Sequence, residues 1–309
     1  MYKYEKIGDN VYVLVGDIIR VNRIQKGKSQ EELSNGICST SNLSRIENNA
    51  QIPSRATYEK LMERLGLDPN VYPSFRNEQE VEAFRLKHKI IRLIFLGNFT
   101  EAEELLNELE NIPKLGREYK QYILYAHVLL SRQKEDDKFE ILSRLKNIAK
   151  MSMKDYSADN IFNQIFTIDE IHILNSLAIS CDETGNTSEA IDLLYALKKY
   201  IETKIVDDDS ISPLYTTILY NLSKYVGLNG RHNEVIKLCD IGIPRCIDYG
   251  AYLNFAGLLF NKGFALVMLD KKEEAKEYLQ ESYYINRARK KYDSCKIVEE
   301  FAKAHKIRL

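Results

Sequence analysis

Ser29-Gln30-Glu31-Glu32-Leu33-Ser34-Asn35-Gly36-Ile37-Cys38-Ser39-Thr40-Ser41-Asn42-Leu43-Ser44-Arg45-Ile46-Glu47-Asn48 decides how the N-terminal part of this chain folds. Ser29 is placed to cap a short helix, with Glu32 three residues later as its reciprocal partner. Asn35-Gly36 breaks that helix. Ser39 or Thr40 caps the next one. Leu33, Ile37, Leu43 and Ile46 form an apolar seam between the two helices. A helix packed through that seam can lie in a major groove, leaving Thr40, Ser41, Asn42 and Arg45 to face base edges. Arg45 has the strongest reading chemistry, because a guanidinium can grip guanine through two hydrogen bonds.

Outward from this stretch, residues 16–67 read as a four-helix unit. Residues 17–66 resemble the xenobiotic-response-element family of phage-repressor-like DNA-binding domains. The residues that carry the resemblance are Arg23 late in the first helix, Gln30 opening the second and Ser44-Arg45-Ile46-Glu47 in the third. Pro53-Ser54 at a helix start and the ending Leu65-Gly66-Leu67 complete it. The resemblance implies that Gln30 and Asn48 touch phosphates at either end of the reading helix, contacts that position without specifying. It also implies that Arg23 and Glu47 pair inside the domain. Residues 1–15 are longer than the family carries. Val11-Tyr12-Val13-Leu14-Val15 makes them an arm, either a short strand or an extension of the first helix.

Charge bounds what such a unit does alone. Residues 16–66 hold eight Lys/Arg against six Asp/Glu in a chain of 309 residues with net charge −1. Phosphate neutralisation dominates DNA affinity, so a weakly basic reader is expected to work as a homodimer on a paired site. No apolar run approaches the roughly 18 residues of a membrane span, and no secretory leader pattern is present. The expectation is a cytoplasmic protein. Cysteines 38, 181, 239, 246 and 295 are scattered, with no metal spacing, and read as reduced buried thiols.

Residues 68–75 form a linker with two prolines. Beyond it, residues 76–290 read as helix almost throughout, with Pro113, Pro213 and Pro244 each near a helix end. A pattern recurs there: a tight turn, an acidic residue, a small residue, then an amphipathic helix. It starts at Gly97, Gly185, Gly230 and Asp270, with Ala102, Ala190, Val235 and Ala275 at the small position. A weaker copy spans Lys134 to Leu142 with Phe139 in that place. The pattern resembles the tetratricopeptide turn, though the spacings exceed the 34 residues of a regular array. Residues 291–309 read as a capping helix. The expected fold is therefore all-α: a helix-turn-helix domain and a superhelix of about five degenerate repeats.

Within the repeats, Asn221 and Asn261 sit nine residues before their turn residues, and Asn175 sits ten before its own. Two readings stand side by side. Asn at this place is common in such repeats and bonds neighbouring helices. Alternatively, an Asn ladder clamps a peptide backbone, since an amide donates and accepts at once. Tyr125, Lys224 and Phe264 fall near the same side, as do His88, His172 and Tyr225.

The order of a phage-repressor-like reader and about five such repeats resembles the peptide-pheromone regulators of Gram-positive bacteria, the PlcR, PrgX and Rgg group. The resemblance implies a homodimer joined through the repeats, a signalling peptide in the concave groove and a double-stranded operator. A second reading makes the repeats only a dimerisation or docking scaffold. No catalytic constellation or nucleotide-binding glycine pattern occurs, so neither enzyme activity nor a cofactor is expected. Asp207-Asp208-Asp209 reads as a solvated loop.

Overall fold

The computed structural model describes residues 5–7, 10–67, 74–75, 78–133, 137–205 and 208–309. The chain forms two compact units, Met1–Leu130 and Ser131–Leu309. The division falls inside a helix rather than in the linker.

The N-terminal arm is a strand hairpin. Strand β1 (Glu5–Ile7) pairs antiparallel with β2 (Asn10–Leu14), Glu5 opposite Tyr12 and Ile7 opposite Asn10. Strand β3 (Ser74–Phe75), at the end of the expected linker, pairs parallel on the other side of β2. The β-branched, aromatic run explains the strand. Of the arm and linker, residues 1–4, 8–9 and 68–73 lie outside the described residues.

Helix α1 (Val15–Gln25) follows β2 directly. Helices α2 (Gln30–Ser34), α3 (Thr40–Glu47) and α4 (Arg55–Arg64) complete the reader. Each of the last three is capped by a serine. Ser29 and Glu32 close a reciprocal box, with bonds of 3.0 and 2.6 Å. Ser39, not Thr40, caps α3 through the Asn42 N–H at 3.1 Å. Ser54 caps α4 through Thr57. The core gathers Ile18, Ile19, Leu33, Leu43, Ile46, Leu61, Met62 and Leu65, all buried.

Among the described residues ten helices then follow, and four pairs of consecutive helices among them pack closely. In the first unit lies α5 (Glu78–Leu96) with α6 (Phe99–Glu110). Helix α7 (Arg117–Gln133) crosses the unit boundary, and α8 (Lys138–Lys150) follows it. In the second unit, α9 (Ile168–Glu183) precedes α10 (Thr187–Lys204), α11 (Asp208–Leu228) precedes α12 (His232–Asp248), and α13 (Phe255–Met268) precedes α14 (Lys272–Ala288). The last helix is α15 (Tyr292–Ala304).

One joint recurs. Gly97, Gly185, Gly230 and Asp270 lie in the left-handed region, with φ of 85°, 92°, 76° and 61°. The N–H of the next residue reaches back to the carbonyl five positions earlier: Asn98 to Leu93, Asn186 to Cys181, Arg231 to Val226 and Lys271 to Leu266. These are the bonds of a Schellman ending. That same residue is the N-cap of the following helix. The fourth residue of the new helix is thereby pressed against its partner: Ala102, Ala190, Val235 and Ala275 are fully buried.

This joint corrects the second repeat. Phe139 does not occupy the small position; it is 68% exposed. Asp137 caps α8 through the Phe139 N–H, so the fourth residue is Ile141, which is buried. Residues 134–136 lie outside the described residues. Two further expectations shift. Pro213 and Pro244 lie inside α11 and α12. Asp208 and Asp209 begin α11 rather than standing in a loop, and Asp207 is not described.

Close approach of α1 and α3 requires glycine at residue 16. A Cβ there would stand 2.1 Å from the Ile46 carbonyl oxygen and 2.4 Å from Asn49 Oδ1. Gly16→Ala is expected to lower stability by about 1–3 kcal/mol, the usual cost of forcing atoms into filled space. Urea unfolding of the full chain, followed by circular dichroism, measures it.

Candidate functional site

Helix α3 is held at its C-terminal end by two residues. Glu47 is 2% exposed, yet its carboxylate is fully engaged. Arg23 of α1 donates through Nε at 2.6 Å and Nη2 at 2.8 Å, and Gln30 of α2 donates through Nε2 at 2.7 Å. Arg23 also donates to the Lys28 carbonyl at 2.8 Å. The hydrogen bond that Arg23 donates to Glu47 holds its pKa above the ordinary value. A buried carboxylate with several donors is stable where an unpaired one is not. The second anchor is Asn49, in the left-handed region at φ 56°. Its Oδ1 accepts the Gly16 N–H at 3.2 Å and its Nδ2 donates to Asp17 at 3.3 Å. Asn49 escaped the sequence reading, although Asn is one of the few residues that adopts this conformation readily.

The outer surface of α3 carries the reading candidates. Ser41, Arg45 and Asn48 are exposed and spaced four and three apart, so they share one stripe. Thr40 is exposed beside them, 3.4 Å from Ser34 Oγ. Asn42 is half-buried, and its Oδ1 is buried without a partner. The phosphate candidates are differently disposed. The Gln30 amide points to Glu47, and Asn48 Nδ2 caps the Ser44 carbonyl of its own helix at 2.9 Å. Arg64 donates to the Leu33 and Asn35 carbonyls at the end of α2.

In the second unit the asparagines form rungs between successive first helices of the pairs. Asn175 of α9, Asn221 of α11 and Asn261 of α13 are 4%, 7% and 8% exposed. Asn221 Nδ2 donates to Asn175 Oδ1 at 3.1 Å. Asn261 Nδ2 donates to the Tyr220 carbonyl at 3.2 Å and to Ser223 Oγ at 2.8 Å. Asn254 Nδ2 adds a rung to Thr217 Oγ1 at 2.7 Å. Arg132 donates to the Ser176 carbonyl and Ser180 Oγ, and pairs with Glu183 at 3.2 Å. Asn221 and Asn261 thus spend an amide N–H on the next helix, not on an open groove. Among the described residues, no donor meets Asn221 Oδ1 or Asn261 Oδ1, and no acceptor meets Asn175 Nδ2.

The remaining groove candidates separate. Lys224 is exposed, its ammonium 5.5 Å from the Tyr225 ring centre. Phe264 is half-buried and packs on His232 and Phe301, 5.9 and 5.3 Å between ring centres. Tyr225 is 2% exposed, and burial with nearby Asp182 and Glu183 drives its hydroxyl pKa far upward. Packing therefore withdraws Tyr225 from any ligand. Tyr125 belongs to the first unit and is buried there. His172 is half-buried on α9, and His88, also in the first unit, is exposed and packs on Phe84.

Residues 19–71 match the helix-turn-helix family. No curated protein matches the chain by sequence. The structure is similar to Bacillus thuringiensis PlcR in complex with the peptide PapR7 and DNA, at 19% identity and a TM-score of 0.66, covering 94% of this chain and 98% of that one. It is similar to ComR from S. thermophilus in complex with DNA and its signalling peptide ComS, at 13% identity and 0.58, covering 95% and 100%. It is also similar to the Streptococcus dysgalactiae SHP pheromone receptor Rgg2, at 14% and 0.58, covering 94% and 99%. At these identities the likeness establishes the fold: a helix-turn-helix domain followed by tetratricopeptide-like helix pairs. Among the described residues no helix is long and apolar enough to cross a membrane.

Removing one partner of the buried pair strands the other. Arg23→Ala and Glu47→Ala are each expected to destabilise the reader by about 3–5 kcal/mol. The double variant recovers part of that loss, and a double-mutant cycle in urea reads the coupling.

Proposed function

We propose that the chain is a cytoplasmic transcription regulator that binds an operator as a homodimer and responds to a short signalling peptide. The observation that carries the DNA half is α3, fixed at its C-terminal end by Glu47 and Asn49 with Ser41, Arg45 and Asn48 on its outer stripe. Thr40 and Asn42 extend that face. The helix-turn-helix match over residues 19–71 supports the same reading. Gln30 contributes by setting the angle of α3 through Glu47. The slight positive balance of the reader favours two copies on two half-sites, since one copy neutralises too few phosphates.

The peptide half is supported by the likeness to structures that hold signalling peptides and by the rungs. An extended backbone presents alternating N–H and C=O groups. The unpaired Asn175 Nδ2, Asn221 Oδ1 and Asn261 Oδ1 offer one donor and two acceptors to it. Lys224 is the exposed cation beside them. Binding there would shift the population of reader arrangements by its differential affinity for them. The scaffold reading keeps two observations in its favour: each rung already spends an amide N–H inside the protein, and Phe264 is engaged in packing.

Two measurements decide. Arg45→Ala is expected to abolish discrimination between operator and random DNA, a loss of about 1–3 kcal/mol, with the fold unchanged by circular dichroism. Fluorescence anisotropy at fixed salt reads it. Asn221→Ala and Asn261→Ala are each expected to weaken peptide binding by about 1–3 kcal/mol, the cost of an unpaired buried peptide group. Calorimetry with peptides encoded by short secreted reading frames of the same genome reads it. If no peptide binds the wild-type chain, the scaffold reading replaces the clamp.

A further inference from the structure

A cavity of about 510 Å³ lies in the second unit, away from the rungs. Its lining includes Leu177 of α9 and Leu193 of α10, both buried, together with Tyr156 and Ala158. Lys150 at the end of α8 and Lys154 just beyond it bring two ammonium groups. Glu189 and Asp192 of α10 bring two carboxylates.

The connection that closes this cavity is internally bonded. The Asp155 carboxylate accepts the Ser157 N–H at 2.9 Å, the Ser157 hydroxyl at 2.7 Å and Asn160 Nδ2 at 2.7 Å. Gln164 Oε1 accepts the Lys154 N–H at 3.1 Å, and Gln164 Nε2 donates to the Asp155 carbonyl. The Phe166 N–H donates to the Tyr200 hydroxyl at 2.9 Å, and the Phe166 and Tyr200 rings pack 5.3 Å apart. The loop that borders this open cleft is therefore held by its own hydrogen bonds, and the size of the cleft falls within the range of small-molecule sites. Asp155 also lines it, but its carboxylate is occupied by the connection itself.

Lys150, Lys154, Glu189 and Asp192 form no salt bridge with one another or with any other described residue. Burial, with the Glu189 carboxylate nearby, pushes the Cys181 thiol pKa up to about 11. Opposite charges that border one cavity without meeting leave room for a molecule carrying both complements. We propose that this cavity is a second ligand site, for a zwitterion of amino-acid or dipeptide size. The ligand carboxylate meets Lys150 and Lys154, its ammonium meets Glu189 and Asp192, and an apolar side chain covers Leu177 and Leu193. The site is independent of the peptide reading, since it shares no residue with the rungs.

The test is calorimetric titration of the full chain with leucine, phenylalanine and the dipeptide Leu-Leu. N-acetyl-leucine and leucinamide, each lacking one charge, serve as controls. Saturable binding of a zwitterion is expected, and preference for leucine or for Leu-Leu tells a free amino acid from a short peptide. Each single-charge control is expected to bind about fivefold more weakly, the upper end for an exposed charge contact. Asp192→Asn and Lys154→Met are expected to produce the same loss. Both are exposed side chains, and the ligand controls on the wild-type chain decide the matter without any variant. Absence of zwitterion binding, or binding of N-acetyl-leucine or leucinamide as tight as that of leucine, overturns the proposal.

Discussion

The array depends on a backbone constraint more than on any side-chain contact. Ending one helix in a left-handed residue, and making the next residue the cap of the following helix, leaves no slack in the connection. The two axes are then forced together at the fourth residue of the second helix, which explains why Ala or Val stands there in four joints. Lys290 at φ 57° repeats the geometry before α15, with the Lys291 N–H returning to the Asn286 carbonyl and Cys295 buried at the fourth position. The capping helix is thus attached by the joint that builds the pairs. Asp270 and Lys290 adopt without glycine a conformation that costs an L-residue roughly 1–2 kcal/mol.

In the reader the corresponding constraint is electrostatic. Glu47 gathers α1, the turn after it, and α2 onto the end of the helix that would read DNA. A carboxylate removed from water demands its donors, so Arg23 and Gln30 are committed before any DNA arrives. This distinguishes positioning from reading on one short helix. The residues turned inward fix the angle, and Ser41, Arg45 and Asn48 face outward.

How much of this was legible depended on whether the cause was local. The Ser29–Glu32 box, the break at Gly36 and the joints at Gly97, Gly185, Gly230 and Asp270 act within a few residues, and their spacing identifies them. Arg23 and Glu47 are 24 positions apart; family resemblance, not periodicity, joined them. The destination of the Gln30 amide could not be read, because it exists only once α2 and α3 are packed. Phe139 was misplaced because the acidic-residue pattern does not fix the helix start; Asp137, which caps it, does. The asparagines could be assigned to equivalent places but not to partners, since a rung depends on how neighbouring pairs stack. The cavity beside α10 left no trace in the sequence, as its charges come from segments with no shared pattern.

The rungs between α9, α11 and α13 have a mechanical meaning. Apolar packing yields gradually when two helices slide, whereas a hydrogen bond weakens steeply with misalignment. A stack of helices sewn by Asn221–Asn175 and Asn261–Ser223 therefore has detents. It resists small shear between neighbouring helices until a rung lets go.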